Sequence, residues 1–255
     1  MKKIALTSLL AVFAISGAHA ANVIDGNPLY MPKTGHAYSV TNLGSHSERT
    51  EAWRLNEEFG YGVSDKLTIN VATTLRDEQS FDQWGWGELK LGAAFRALDM
   101  GAIKMDLIGA YTVDPVWGNH RPFLEEDDTV YTWTAGVRAG YTSGNFTIAG
   151  KALFNYSGAE SFNWDDEGIH KWILGLDAQF VINNNLNLVA GAEYTGITDD
   201  GAKNAGIWKG EFGVNYNLDA TKFVGAYING TMRHATGDWE WDDGFGFGAK
   251  FGIDF

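Results

Sequence analysis

The chain contains no cysteine and only four prolines in 255 residues, while glycine is abundant at 32 residues. Without cysteine there is no disulfide framework, so an exported version of this chain must be stabilised by other means. Few prolines leave long stretches free to form regular backbone structure. The sequence therefore excludes a disulfide-stapled small domain and leaves the fold to be decided by its hydrophobic pattern.

Long hydrophobic runs are missing after the first twenty residues. Residues 1–20 carry two lysines, an apolar run from Ile4 to Ile15 and the small-residue pattern Ala18-His19-Ala20. This arrangement predicts a secretory signal peptide cleaved after Ala20. No later stretch approaches the roughly 18 apolar residues of a membrane helix. The mature chain is therefore predicted to be exported without helical membrane spans.

An excess of positive charge is also absent, because the formal net charge is −13. Nucleic-acid binding requires basic patches, so a nucleic-acid partner is not expected. The acidic residues are concentrated in predicted loops, notably Glu125-Glu126-Asp127-Asp128 and Asp165-Asp166-Glu167. Such carboxylates either keep a surface solvated or bind divalent cations, although no calcium-loop motif is present.

The mature chain consists mainly of short segments in which apolar and polar residues alternate, the period of β-strands. Twelve segments are predicted, at residues 36–44, 51–62, 67–76, 86–98, 102–113, 129–141, 146–156, 168–182, 186–195, 205–217, 222–234 and 244–255. Most have 9 to 13 residues, close to the 9 to 11 of a tilted membrane strand. Residues 21–35 lack this period and are predicted to form an irregular periplasmic lead-in or to fold partway into a barrel.

Short and long connectors alternate along the chain, which is typical of outer-membrane barrels with tight periplasmic turns and longer external loops. Aromatic residues also gather near both ends of the apolar faces, as expected at two membrane interfaces. We therefore predict an all-β fold, a closed antiparallel up-and-down transmembrane β-barrel of about twelve strands over residues 36–255.

The last segment carries the clearest motif, because Gly244 to Phe255 reads GFGFGAKFGIDF and alternates to the final residue. This ending resembles the closing strand of bacterial outer-membrane β-barrels, a porin-like superfamily of Gram-negative cells. The resemblance implies that Phe251 and Phe255 belong to the signal read by the barrel assembly machinery. It also implies an outer-membrane location and contact with outer-membrane lipid.

Charged residues fall on the face opposite the apolar one, and we predict that they line the lumen. The basic residues are Arg54, Arg76, Lys90, Arg96, Lys104, Arg138, Lys151, Lys171, Lys209, Arg233 and Lys250. The acidic residues are Glu58, Glu88, Asp106, Asp177, Glu193, Glu211 and Asp254. Two interpretations remain open: structural salt bridges in a narrow barrel, or a basic wall opposite an acidic one that selects solutes.

Two segments depart from the pattern. Strict alternation in the second places Glu57 on the lipid-facing side, and a β-bulge near residues 56–58 is predicted to turn it inward. In the eleventh, outward Val224, Ala226, Ile228 and Met232 leave Phe223 and Tyr227 in the lumen, which makes that register ambiguous.

The pattern predicts a porin-like channel for passive diffusion of small hydrophilic solutes, with no cofactor or metal, and the basic excess favours anionic or zwitterionic ones. Two alternatives stay open. A lipid-modifying hydrolase would use Ser45-His46-Ser47, although neighbouring strand residues point to opposite faces. An adhesive or structural barrel would use exposed Trp117, Trp239 and Trp241.

Overall fold

The computed structural model describes residues 26–46, 49–77, 84–115, 129–159, 168–198, 206–234 and 239–255. The predicted signal peptide and the longest acidic loops lie outside these residues. The part of the chain described contains no helix long and apolar enough to cross a membrane. Its elements are the strands β1 (Ala37–His46), β2 (Arg49–Ser64), β3 (Leu67–Asp77), β4 (Trp84–Asp99), β5 (Ile103–Pro115), β6 (Thr129–Ser143), β7 (Phe146–Ala159), β8 (Ile169–Val181), β9 (Leu186–Ile197), β10 (Gly206–Asn217), β11 (Lys222–His234) and β12 (Trp239–Asp254).

The twelve strands form one closed barrel in which each strand pairs with its neighbours in the sequence. Every pairing is antiparallel, and β1 closes the barrel against β12 with Tyr38 opposite Asp254 and Gly44 opposite Gly248. Closure leaves no strand edge with unpaired backbone groups. The predicted fold class and strand number are confirmed.

The barrel buries its polar residues and exposes its apolar ones, the reverse of a soluble protein. Phe247 and Phe251 of β12 point outward and are 55% and 41% exposed, whereas Lys250 between them contacts lumen residues. On β11, Phe223 and Tyr227 are buried in the lumen, as the alternation predicted. An apolar outer face and a polar interior are what a barrel surrounded by lipid requires.

Exposed aromatic rings form two belts on the outer face. Trp133, Trp172 and Trp208 lie toward the end of the long connectors, here called the loop end. Tyr61, Tyr141 and Tyr216 lie toward the opposite end, where the connectors are short, here called the turn end. Trp133 and Tyr141 are eight residues apart on β6, which corresponds to roughly 20 Å along the axis of a tilted strand. This spacing is close to the height of a membrane-embedded band.

The prediction for Glu57 is wrong. The pairing of β2 with β1 is continuous from Tyr61 to Trp53, and its pairing with β3 is continuous over the same residues. The irregularities lie at Ser45/His46 and at Gly62/Ser64, near the strand ends. Since no bulge interrupts the alternation, Glu57 stays on the outer face.

Several strands are longer at the loop end than the alternation predicted. β12 begins at Trp239 instead of residue 244, and β7 continues to Ala159 instead of residue 156. Backbone hydrogen bonds between strands do not depend on which side chains they carry, so the ladder continues where the apolar alternation stops. The hydrophobic pattern therefore marks the membrane-embedded part of each strand more closely than the whole strand.

Glycines on the inner face of β12 provide room for large side chains of β11. A Cβ added at Gly252 would collide with the ring of Phe223, a side chain that is only 2% exposed. We expect Gly252→Val to lower the free energy of unfolding by about 1–3 kcal/mol, the usual cost of overpacking. Urea titration of the folded barrel in detergent or vesicles measures this loss.

Gly210→Val is the matched control, because a Cβ at Gly210 meets no atom within 4 Å. We expect this variant to unfold at nearly the wild-type urea concentration. Equal losses for the two variants would contradict the packing explanation and point to a general effect of replacing strand glycines.

Candidate functional site

The lumen contains a cavity of about 730 Å³ that reaches from the barrel wall to the N-terminal segment. Residues 26–36 form this segment, which runs into the barrel from the turn end, and Gly26, Asn27 and Pro28 line the cavity. Gly26 has a positive φ of 100° and comes so close to Val189 and Asn215 that a side chain would not fit. The cavity is therefore bounded on one side by the chain that precedes β1.

Contacts inside the barrel fix the N-terminal segment. Leu29 is only 4% exposed, and its carbonyl accepts a hydrogen bond of 2.8 Å from the Arg96 guanidinium. The Tyr30 hydroxyl donates to Asp254 at 2.8 Å, and its ring meets that of Tyr38 edge-on at 5.9 Å between centroids. Burial and the hydrogen bond to Asp254 raise the pKa of Tyr30, so its hydroxyl remains a neutral donor.

A second set of contacts holds the segment at the turn between β2 and β3. The Thr34 hydroxyl donates to the Asp65 carboxylate at 2.5 Å, and the Gly35 N–H donates to the Gly62 carbonyl at 2.8 Å. The hydrogen bonds from Thr34 lower the pKa of the Asp65 carboxyl. Residues 26–36 are thus bound at two points, one within the lumen and one at its rim.

A buried cluster of two arginines and one aspartate stands at the turn end of the lumen. Asp106 is fully buried between Arg96, which is 5% exposed, and Arg138. Arg138 makes two hydrogen bonds to the carboxylate, of 2.6 and 3.0 Å. Strands β4, β5 and β6 bring the three side chains together, because Asp106 is opposite Arg96 in one pairing and Arg138 in the next. This cluster joins the wall to the N-terminal segment through Leu29.

Two lysines of the barrel wall, Lys151 and Lys250, form further ion pairs in the lumen. The Lys151 ammonium lies 2.8 Å from Glu193 and 3.6 Å from Asp177. Lys250 pairs with Glu211 and lies 4.5 Å from the centroid of the Tyr227 ring. The Tyr227 hydroxyl in turn donates to Asn42 at 2.7 Å. The first set links β7 to β8 and β9, and the second links β12 to β10, β11 and, through Tyr227, β1.

A further pair of arginines lies near the loop end. Arg54 and Arg76 are directly opposite on β2 and β3. The Arg76 guanidinium approaches Asp114 at 3.2 Å and Glu88 at 3.9 Å, and the acidic partners offset the repulsion between the two arginines. The fifth predicted segment ended at residue 113, but Asp114 belongs to β5 and its side chain is mostly buried.

The remaining predicted lumen residues are distributed along the barrel. Lys209 is exposed and lines the cavity, and no ion pair is found for it among the described residues. Lys104 pairs with Asp99 at 3.8 Å, near the turn-end rim and away from the cavity. Lys90 and Lys171 have inward positions in the alternation of β4 and β8 but do not line the cavity. The side chain of Arg233 lies outside the described residues.

Charges of opposite sign are interleaved around the cavity and do not form two opposing walls. Its basic lining residues are Arg54, Arg76, Arg138, Lys151, Lys209 and Lys250. Its acidic lining residues are Glu58, Glu88, Asp177, Glu193 and Glu211. Among the described lining residues the two sets are nearly equal in number, because more of the predicted basic residues (Lys90, Arg96, Lys104 and Lys171) than of the acidic ones (Asp106 and Asp254) lie away from the cavity. The cavity therefore offers closely spaced positive and negative groups.

Residues considered for hydrolysis or assembly occupy other positions. The Ser45 hydroxyl is engaged with the backbone of Phe247, accepting from its N–H at 3.0 Å, and the side chain of His46 lies outside the described residues. His170 packs on the rings of Phe154 and Tyr156. Phe255 is exposed and pairs through its backbone with Ala37. No group of three or more residues able to hold a metal ion occurs in the described ranges.

The N-terminal segment and Asp114 were not identified as parts of the site from the sequence. The segment has no period, and two of the four prolines occur in it, so its sequence indicates irregular structure that either stays periplasmic or folds partway into the barrel. The available signal was the apolar run Leu29-Tyr30-Met31 between Pro28 and Pro32. The interior of a barrel can accept such apolar residues, but the alternation within the strands does not show that the segment lies there.

A closed twelve-stranded barrel with an apolar, aromatic-belted exterior and a charged lumen has the architecture of outer-membrane β-barrels. Among solved structures, the NanC porin is similar, with a TM-score of 0.59 and 8% identity over 86% of this chain and 98% of that one. The KdgM porin matches with a TM-score of 0.58 and 4% identity, over 86% and 99% of the two chains. An outer membrane channel from Pseudomonas putida F1 matches with a TM-score of 0.56 and 13% identity, over 91% and 98%.

At these identities the similarity establishes the fold alone. The sequence matches no protein-family model and no curated protein. The solute and the activity must therefore be inferred from the lumen.

Proposed function

We propose that this protein is an outer-membrane channel through which small hydrophilic solutes diffuse passively. The observation that carries the proposal is the charged cavity within the closed barrel, bounded by polar and ionised side chains from nearly every strand. The folds of the two porins and the Pseudomonas channel agree with it. Passive diffusion requires neither cofactor nor metal.

The size of the cavity limits the solutes to small ones. A volume of about 730 Å³ falls within the range of ordinary small-molecule sites. The N-terminal segment narrows the lumen between the cavity and the turn end, because Leu29 is buried against Arg96 there. Large oligomers are therefore poor candidates, and solutes of the size of an amino acid or a small sugar are good ones.

The interleaved charges favour zwitterionic solutes. Lys209 offers an exposed ammonium, while Glu193 lies directly opposite it on the neighbouring strand. The carboxylate of a zwitterionic solute can pair with the Lys209 ammonium while the ammonium of the solute pairs with the Glu193 carboxylate. Because the acidic and basic lining residues are nearly balanced, a strong preference for simple anions is not expected.

Lys209→Glu tests whether the cavity lies on the conduction path. The change replaces an exposed lumen cation with an anion, so we expect the permeability ratio of K⁺ to Cl⁻ to rise roughly threefold. The measurement is the reversal potential of the purified protein in planar bilayers under a KCl gradient. Wild-type protein should give discrete single-channel steps.

Lys222→Glu is the matched control, since it makes the same charge change at the first residue of β11, away from the residues that line the cavity. We expect its reversal potential to stay at the wild-type value. No conductance above that of protein-free bilayers would overturn the channel proposal. Conductance with equal shifts for both variants would show that the cavity is not the conduction path.

A further inference from the structure

The N-terminal segment binds two oppositely charged residues of the barrel wall through neutral groups. The Leu29 carbonyl accepts a hydrogen bond of 2.8 Å from the Arg96 guanidinium, and the Tyr30 hydroxyl donates one of 2.8 Å to the Asp254 carboxylate. A carboxylate in place of the carbonyl, or an ammonium in place of the hydroxyl, would add the attraction between opposite charges to the same hydrogen bond. Both wall charges are therefore paired with weaker partners than an ionised solute provides.

The two wall charges also keep binding capacity that the segment does not use. The Oδ1 atom of Asp254 is buried and has no hydrogen-bond partner among the described residues. Arg96 and Arg138 share one buried carboxylate, that of Asp106, while the carboxylate of Asp99 lies 3.6 Å from Arg96 on a half-exposed side chain. A buried acceptor without a donor is unfavourable, so an ammonium beside Asp254 would be stabilised. A carboxylate beside Arg96 would offset the excess of positive charge in the arginine cluster.

The segment separates these two charges from the cavity. Leu29 is only 4% exposed and covers Arg96, and neither Arg96 nor Asp254 lines the cavity while the segment is in place. Residues 26–28, which directly precede Leu29, do line it. A solute that enters the cavity is thus in contact with the chain that hides the two charges.

We infer that Arg96 and Asp254 form a second solute subsite, which the Leu29 carbonyl and the Tyr30 hydroxyl occupy until a zwitterionic solute displaces the segment. The inference rests on the proposed channel function. Because the carbonyl and the hydroxyl belong to adjacent residues, the two atoms are at most about 9 Å apart. The matching solute therefore has a carboxylate and an ammonium separated by several bonds, as in a dipeptide or an ω-amino acid.

Displacement would open the turn end of the lumen without releasing the segment from the barrel. The contacts of Thr34 with Asp65 and of Gly35 with Gly62 lie at the rim, outside the subsite, and involve neither Arg96 nor Asp254. A ligand shifts such an equilibrium only by its preference for one of the two states. The solute supplies that preference, because it can bind the two wall charges only when Leu29 and Tyr30 have left them.

The absence of cysteine from the chain lets a single thiol report on the position of the segment. Leu29→Cys keeps the backbone carbonyl that contacts Arg96 and places the thiol where the side chain is buried. In the purified protein, we expect N-ethylmaleimide to label this thiol slowly. Saturating 6-aminohexanoate should raise the labelling rate about fivefold, because displacement exposes the thiol. Mass spectrometry of the adduct over time measures the rate.

Two controls accompany this measurement. Ammonium acetate supplies the same two charged groups in separate molecules, and we expect it to leave the labelling rate of Leu29→Cys nearly unchanged. Lys33→Cys places the thiol at an exposed position of the same segment, so 6-aminohexanoate should not change its labelling rate.

Asp254→Asn in the Leu29→Cys background tests the charge itself. It removes the partner of the solute ammonium, so we expect the response to 6-aminohexanoate to be lost. An unchanged or lower labelling rate with 6-aminohexanoate, an equal increase with ammonium acetate, or a full response in Asp254→Asn would overturn the inference. Labelling does not require conduction, so a protein that conducts but shows no increase contradicts this inference alone, whereas failure of the channel proposal appears as absent conductance.

Discussion

Asp106→Asn is expected to cost about 3–5 kcal/mol of unfolding free energy, the usual loss when one partner of a buried ion pair is removed. The wild-type carboxylate is fully buried and forms an ion pair with both Arg96 and Arg138. Asparagine nearly preserves the shape but leaves two guanidiniums with no opposite charge between them. Urea unfolding of the barrel in detergent or vesicles measures the difference.

Glu88→Gln is the control for this change, because the Glu88 carboxylate is 42% exposed and lies 3.9 Å from Arg76. Pairs of this kind contribute about 0–1 kcal/mol, so we expect a small loss. A loss below about 1 kcal/mol for Asp106→Asn would contradict the proposed role of the cluster. It would indicate that the arginines find other partners or water.

Deletion of residues 26–30 is expected to raise the single-channel conductance about twofold or more, since conductance grows with the open cross-section of a pore. These residues bound the cavity and include Leu29, which is buried against the wall. Removing them opens the lumen at its turn end while the Thr34 anchor to Asp65 remains. Planar-bilayer recording compares the variant with the full chain.

Tyr30→Phe tests whether the conductance depends on the space that the N-terminal segment fills or on its hydrogen bond to the barrel wall. It removes only the hydroxyl that donates to Asp254 and keeps the bulk of the segment. We expect near wild-type conductance from it. If the deletion variant folds, as judged by its heat-dependent mobility on gels, and still conducts like the full chain, then residues 26–30 do not restrict the pore.

The strand positions could be predicted because a membrane barrel places every second residue in lipid. Apolar residues must therefore recur at every second position of each strand, as they do from Phe245 to Phe255. The structure confirms twelve strands, with the barrel closed by the pairing of β1 with β12. The prediction for Glu57 was wrong for the same reason. Alternation placed Glu57 outside, and the cost of a carboxylate in lipid suggested a bulge that would turn it inward, whereas two hydroxyls on the neighbouring strand stabilise it outside.

The lumen was predicted less completely than the wall. Alternation gives the side of the barrel on which Arg96, Asp106 and Arg138 lie, but it does not say which charges meet. Pairing depends on the register between strands, which places Asp106 opposite Arg96 and Arg138. Register is set by turns and bulges at several places along the chain, so it is not readable from one segment.

The sequence by itself determined that the chain is a closed antiparallel barrel with an apolar exterior and a charged interior, because those properties depend on local period, connector length and composition. Only the tertiary structure decided that oppositely charged residues are interleaved around one cavity, that the segment containing Leu29 and Tyr30 lies in the lumen, and that Glu57 stays on the outer face. Each of these depends on contacts between residues far apart in the sequence, such as Leu29 with Arg96. No periodicity within a single strand encodes such contacts.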